Sequence, residues 1–213
     1  MSANYWESSQ RNHWTVTRTQ LLQSRQDDLA IIDYTDVLRL HIYFANLEEL
    51  PHHLKMIHTE TRNFLAASKI PFKYDPCDIA EFECYLLEDL NFYMIVYHPY
   101  RTLTKIMDDL ALDRAHLQSA WFITNDSLRS DACLIYPPHL IAVAAVYINC
   151  VHHQTHTNKH IKTWFARLNV DMVKVLEIVQ DMITMYELWN GLEEKAVLRI
   201  LDVLQAKARG TKP

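Results

Sequence analysis

Apolar positions recur at helical spacing along most of the chain. From Thr17 to Ile32 they are Leu21, Leu22, Leu29 and Ile32, and from Tyr34 to Leu50 they include Val37, Leu38, Ile42, Phe44, Ala45 and Leu47. A short helix is expected over Thr59 to Ser68. Another is expected over Asp78 to Leu90, through Ile79, Phe82, Tyr85, Leu86 and Leu90. Pro99 opens a pattern through Leu103, Ile106, Met107 and Leu110, and Asp113 opens one through Leu117, Ala120, Trp121, Thr124 and Leu128. Pro137-Pro138 suits the first turn of a helix, where a missing N–H costs nothing. The run that follows, Leu140 to Cys150, is apolar nearly all round, as in a helix buried on every side. It is too short for a membrane span, which needs about 18 or more apolar residues. Lys159 to Leu168 reads as a short helix. Asp171 caps a stripe of Met172, Val175, Leu176, Val179, Met182, Ile183 and Tyr186, and Leu192 to Lys207 turns Val197, Ile200, Leu201 and Leu204 inward. Residues 99–190 thus form a self-sufficient core, one apolar helix with amphipathic ones around it. Residues 34–96 have amphipathic helices but no comparable central one.

Composition sharpens the all-α reading. The chain has 213 residues and 2 glycines, where average usage of ~7% would give roughly fifteen. That excludes glycine-rich phosphate loops, which need close backbone approach. It also argues against folds with many tight hairpins. Gly191 and Gly210 follow expected helices and suit the left-handed residue past a helix end. With 49% hydrophobic and 22% charged residues the chain is too apolar for disorder. A net charge of -5 gives no electrostatic footprint for nucleic acid. The first ten residues, MSANYWESSQ, lack the basic region and apolar run of a signal peptide. Cys77, Cys84, Cys133 and Cys150 show no paired spacing and read as reduced, mostly buried thiols, which places the chain in the nucleus or cytosol.

Particular stretches carry a family resemblance. NYWESSQ (Asn4 to Gln10), LLQSRQDDL (Leu21 to Leu29), IAEFECYLLEDLNFYMIVYHPYR (Ile79 to Arg101), AWFITNDSLRSDACLIYPPHLIAVA (Ala120 to Ala144) and WFARLNVDMVKVLEIV (Trp164 to Val179) together resemble the cyclin C family, the cyclins of the Mediator kinase module. The IVYHPYR and NDSLRSD…YPP signals are the specific ones. The resemblance implies a cyclin fold of two tandem five-helix boxes. It divides the chain into an N-terminal helical segment (1–33), a first box (34–96), a second box (97–190) and a C-terminal helix and tail (191–213). The first box lacks counterparts of two family helices, the central one included. Without it the remaining helices would expose apolar faces, so a segment missing near Met56-Ile57 is favoured over a reduced box. A continuous trans peptide there, with Cα atoms ~3.8 Å apart, would contradict that.

What the resemblance implies about function is a non-catalytic subunit that activates the Mediator-associated cyclin-dependent kinase, regulates RNA polymerase II transcription in the nucleus and needs no cofactor. Its partners would be that kinase and other subunits of the kinase module, with no direct nucleic acid and no membrane. Cyclins place a glutamate and a lysine of the first box on the kinase. The glutamate matches Glu81, and the lysine falls in the missing helix. Lys69 resembles it only superficially. A groove for a partner peptide would be walled by Trp6, Tyr97, Tyr100, Trp121 and Tyr186, with Asn125 one helical turn from Trp121. Full burial of Trp121 and Asn125 would defeat it. The alternative is a two-box transcription scaffold that binds peptides without activating a kinase.

Blander readings stand beside these. Trp6 and Trp14 would equally pin the first helix to the body. Arg129 and Asp131, near Asp126, read as staples of a helix end. His152, His153, His156 and His160 sit in a polar loop without the regular spacing of a zinc site, so no metal is assigned. Cys133 and Cys150 lie in apolar helices, not beside a base that would activate a thiol.

Overall fold

A computed structural model describes residues 4–47, 83–88, 91–93 and 95–208. Among these residues every regular element is helical. The expected helix over 59–68, together with Met56, Ile57, Lys69, Cys77, Glu81 and Gly210, lies outside them. Packing divides the chain into two units, one of Met1–Phe44 with Tyr97–Pro213 and one of Ala45–Val96. In the second, residues 83–88 are helical, within the expected helix over 78–90.

The longer helices are α1 (Arg18–Ser24), α2 (Tyr34–Leu47), α3 (Tyr100–Asp109), α4 (Arg114–Asp126), α5 (Pro138–His152), α6 (Lys159–Arg167), α7 (Met172–Asn190) and α8 (Glu194–Ala208). Their starts follow local chemistry. Thr17 and Gln20 form a capping box at α1. Asp113, Asn158 and Asp171 accept backbone N–H groups at the starts of α4, α6 and α7. Each satisfies a donor that the first turn leaves unpaired. Pro138 opens α5.

The core is built on α5. Leu140 to Val146 are all buried, with Asn149 and Cys150 continuing the run. Helices α3, α4 and α7 pack against it. They contribute Leu103, Ile106 and Met107 from α3, Ala120 from α4, and Val175, Ile178, Val179, Met182 and Met185 from α7. A smaller cluster joins Ile32 and Val37 to Ile200 of α8, with Leu29, Leu40 and Leu204 against it.

Four expectations are corrected. The buried face of α7 centres on Val175, Ile178, Val179, Met182 and Met185, whereas Leu176 is 49% and Ile183 42% exposed. The expected stripe spanned too wide an arc and omitted Ile178, which is fully buried. The first helix ends at Ser24, because Arg25 leaves helical geometry (φ -96°, ψ 10°) before a short turn, Gln26–Leu29. Leu128 is exposed in the 3-10 turn Ser127–Arg129 that follows α4. Gly191 has φ -97°, so a left-handed residue is not what stops α7. A Cβ there would meet only ordinary contacts, 3.7 Å from the Glu187 carbonyl oxygen. Among the described residues positive φ falls instead on Asn91, Phe92, Ala111 and Gln154, at 50°, 58°, 50° and 58°.

Charged groups fasten the N-terminal helices to this core. Asp131, beside the second turn after α4, takes both guanidinium nitrogens of Arg25 at 2.7 Å. It also accepts the Tyr34 hydroxyl at 2.8 Å. Arg18 reaches Asp181 of α7 at 2.7 Å, and Tyr136 donates to Glu177 at 2.8 Å. Between them the Val16 N–H donates to the Leu134 carbonyl at 2.9 Å. The Asp131–Arg25 pair is the buried one, with side chains 6% and 12% exposed. Exposed pairs contribute little, but removing one partner of a buried pair strands the other charge.

Two outcomes follow. Asp131→Ala should lower stability by about 3–5 kcal/mol in urea unfolding, far more than Asp181→Ala. Burial, and then the bond to Asp131, push the Tyr34 phenol up to about 12 from 10.0. The folded chain thus holds this proton more tightly than the unfolded chain. Its contribution is complete below pH ~10 and is lost as the pH rises toward 12. Stability measured across that window should fall more steeply in the native chain than in Tyr34→Phe.

Candidate functional site

Helix α4 presents Trp121 and Asn125 on one face, one turn apart. Tyr100, the first residue of α3, meets both. Its ring centroid lies 4.6 Å from that of Trp121, tilted by 35°. Its hydroxyl donates to Asn125 Oδ1 at 2.8 Å. Trp121 is 39% exposed and Asn125 half-buried, so neither is lost to the core. Burial pushes the Tyr100 phenol up, and it stays a neutral donor at ordinary pH.

The neighbouring residue, Asp126, brings in α7. Tyr186 donates to Asp126 Oδ2 at 2.9 Å, and Arg129 approaches Oδ1 at 2.6 Å. The Arg129 guanidinium lies 4.5 Å over the Trp189 ring. Burial first, and then the Asp126 charge, push the Tyr186 phenol well up. Arg129 therefore staples the end of α4. Asp131 holds the N-terminal helices through Arg25 and Tyr34.

Trp6 and Tyr97 group around Tyr5. The Tyr5 ring stands nearly edge-on to both, at 5.3 Å and 5.9 Å. The Gln10 side chain holds the Tyr97 backbone by two bonds, Nε2 to the carbonyl at 3.1 Å and Oε1 from the N–H at 2.6 Å. Trp6 is 54% exposed, with the His139 ring 5.6 Å away. It lines a cleft of about 1050 Å³ with Arg18, Tyr136, Lys174 and Glu177. The six expected groove residues thus fall into a Tyr100–Trp121–Asn125 group, an adjoining Tyr186 and a Trp6–Tyr97 group. Trp14 is also exposed on the N-terminal segment.

Curated cyclin-C proteins of Drosophila melanogaster and Rattus norvegicus are 33% and 32% identical to this chain. Their alignments cover 94% and 92% of it, and 95% and 87% of the relatives. The chain belongs to the cyclin C family. An RNA polymerase II holoenzyme cyclin-like subunit of Yarrowia lipolytica is 29% identical, over 92% of this chain and 96% of that protein. A chain of the yeast TFIIK (Kin28/Ccl1/Tfb3) complex, solved by cryo-electron microscopy, superposes with a TM-score of 0.55. That match covers 85% of this chain and 99% of the yeast one at 18% identity, and it shows the shared all-α cyclin fold. No family model matches the chain.

The alignments to cyclin C relatives run over 251 to 272 positions, more than the 213 residues here. The relatives therefore carry, inside the matched span, several tens of residues without counterparts in this chain. Other expected groups are placed less tellingly. Cys150 is buried, Cys133 half-buried and Cys84 exposed, all as free thiols. Burial pushes the Cys133 and Cys150 thiols up, which disfavours the nucleophilic thiolate. His152, His153, His156 and His160 are exposed. Among the described residues no helix is long and apolar enough to cross a membrane.

Tyr100→Phe keeps the ring against Trp121 and removes one hydrogen bond. It should cost about 0.5–1.5 kcal/mol in denaturant unfolding followed by tryptophan fluorescence.

Proposed function

We propose that this chain is a regulatory cyclin that binds and activates the Mediator-associated cyclin-dependent kinase, and so regulates RNA polymerase II transcription in the nucleus. The observation that carries this reading is identity to cyclin-C proteins along 92–94% of the chain. The name of the Yarrowia relative, a holoenzyme cyclin-like subunit, supports it. The chain contributes no catalytic group of its own. It acts by binding one kinase conformation better than another, which shifts the population toward that conformation. In the active conformation the kinase αC helix is held inward and completes its Lys–Glu ion pair. Glu81 is assigned to the kinase contact.

The aromatic surface is assigned a separate role. Trp121 and Tyr100, with Asn125 and Tyr186 beside them and Trp6 and Tyr97 on the N-terminal side, receive a peptide from another subunit of the kinase module. Exposed aromatics are suited to anchoring such a segment, and an amide is suited to its backbone.

One observation favours a second reading, a scaffold that binds peptides without activating a kinase. This chain lacks several tens of residues found in its relatives (the expected first-box helices among the candidates), and with them surface for a kinase.

The full chain, purified and mixed with a Mediator-type kinase, should raise phosphorylation of a polymerase tail peptide. Glu81→Lys should weaken kinase binding at least about tenfold, which is ~1.4 kcal/mol. Trp121→Ala should spare the kinase but reduce capture of a kinase-module subunit by about 2 kcal/mol or more. No rise in phosphorylation, with subunit capture intact, would establish the scaffold instead.

A further inference from the structure

The N-terminal segment, the start of α5 and the first turns of α7 enclose the cleft of about 1050 Å³ that Trp6 borders. That volume stands at the top of the range for small-molecule sites, ~300–1000 Å³, and has room for several residues of an extended peptide. Its apolar lining includes Tyr136 and Leu140, both buried, and Val170. Trp6 and the His139 ring meet within it, with centroids 5.6 Å apart. Burial holds the His139 imidazole below its usual range, so this ring is neutral at ordinary pH and adds no charge.

The charged lining is matched except at one residue. The cations are Arg11, Arg18 and Lys174, and the carboxylates are Asp171, Glu177 and Asp181. Each carboxylate already has a donor from this chain. Asp181 holds Arg18 at 2.7 Å, and Glu177 takes the Tyr136 hydroxyl at 2.8 Å. Asp171 caps α7 and meets Lys174 at 3.4 Å. Arg11 pairs with no carboxylate among the described residues. Its guanidinium makes one long bond, 3.5 Å to Oδ1 of its neighbour Asn12, and lies 5.6 Å from the centroid of the Trp6 ring. An arginine stacked on an aromatic face keeps its edge N–H groups for a carboxylate, which it binds in a two-pronged geometry. Asn169 and Gln180, exposed on the α7 side, add amides that both donate to and accept from a peptide backbone.

We infer that this cleft receives an extended acidic peptide of another protein, with an Asp or Glu side chain on Arg11 and a neighbouring apolar side chain against Trp6 and Tyr136. Charge complementarity selects that occupant. A basic peptide would meet carboxylates already taken and be repelled by Arg11. A nucleic-acid strand would face the three carboxylates. Tyr97, Tyr100, Trp121, Asn125 and Tyr186 do not line the cleft. The site therefore shares Trp6 alone with the groove assigned above and does not depend on it.

The probe is a phage-displayed library of random dodecapeptides, selected on the full chain and counter-selected on the full chain carrying Arg11→Glu. Arg11 is exposed, and circular dichroism checks that the variant is folded. Enriched sequences should carry Asp or Glu beside an apolar residue. A synthetic copy of the leading sequence should bind Arg11→Glu at least about tenfold more weakly than the native chain, and Arg11→Lys should recover part of the loss. Gln180→Glu, which adds a carboxylate to the lining, should weaken it several-fold. Lys195→Glu, the same change of charge at an exposed position of α8 outside the cleft, should leave it unchanged. Added salt should weaken the native complex more than the Arg11→Gln one. No enrichment, enriched sequences without an acidic residue, or undiminished binding by folded Arg11→Glu would each overturn the assignment. So would equal affinity for inorganic phosphate, which would make this a small-anion site. A dimer in size-exclusion chromatography that Arg11→Glu dissolves would overturn it too, by making the occupant a second copy.

Discussion

Burial of α5 on every side is the constraint on which the described structure rests. A helix with no polar face has no stable place at a surface, so three others must close around it. Helices α3, α4 and α7 do so, each offering one apolar face and leaving another to solvent. The aromatic surface is a consequence of this arrangement. Ala120 and Thr124 face inward from α4, which turns Trp121 and Asn125 partly outward on the same helix. Tyr100 stands at the start of α3, beside Leu103 which is buried, and so meets them.

Around this apolar centre, polar contacts of long sequence separation set the positions of the helices that precede it. Asp131 is the hub, holding Arg25 and Tyr34 across 106 and 97 positions. Little of this energy is a net gain over an apolar alternative, because burying charge is costly. What the pair secures is registry. A bidentate carboxylate accepts a guanidinium in one geometry, so α1 and α2 cannot slide along the core. Gln10 does the same for the Trp6–Tyr97 group, by gripping the Tyr97 backbone twice.

The exposed aromatic surface is made of side chains whose contacts lie far off in sequence. Asn125 and Asp126 are adjacent, yet one is tied to α3 through Tyr100 and the other to α7 through Tyr186. A partner seated on this face would thus touch three helices at once. That face is held in place by the core behind it.

Among the described residues most helix positions and the identity of the central helix are legible in the sequence, because periodicity, cap residues and prolines act over a few neighbours. Asp113, Asn158, Asp171 and Pro138 each sit where the chemistry of a first turn requires. The family, too, was legible in short stretches such as IVYHPYR and NDSLRSD. The distant partners of the polar residues were not. Nothing local links Asp131 to Arg25 and Tyr34, and nothing links His116 to His153. Composition suggests a left-handed turn at Gly191, whereas positive φ among the described residues falls on Asn91, Phe92, Ala111 and Gln154. The outward aim of Leu176 and Ile183 likewise depends on the width of the surface α7 covers. Local patterns specify which segments become helices and which faces are apolar. Only packing decides which polar groups those faces carry into contact, since that depends on the crossing of helices distant in the chain.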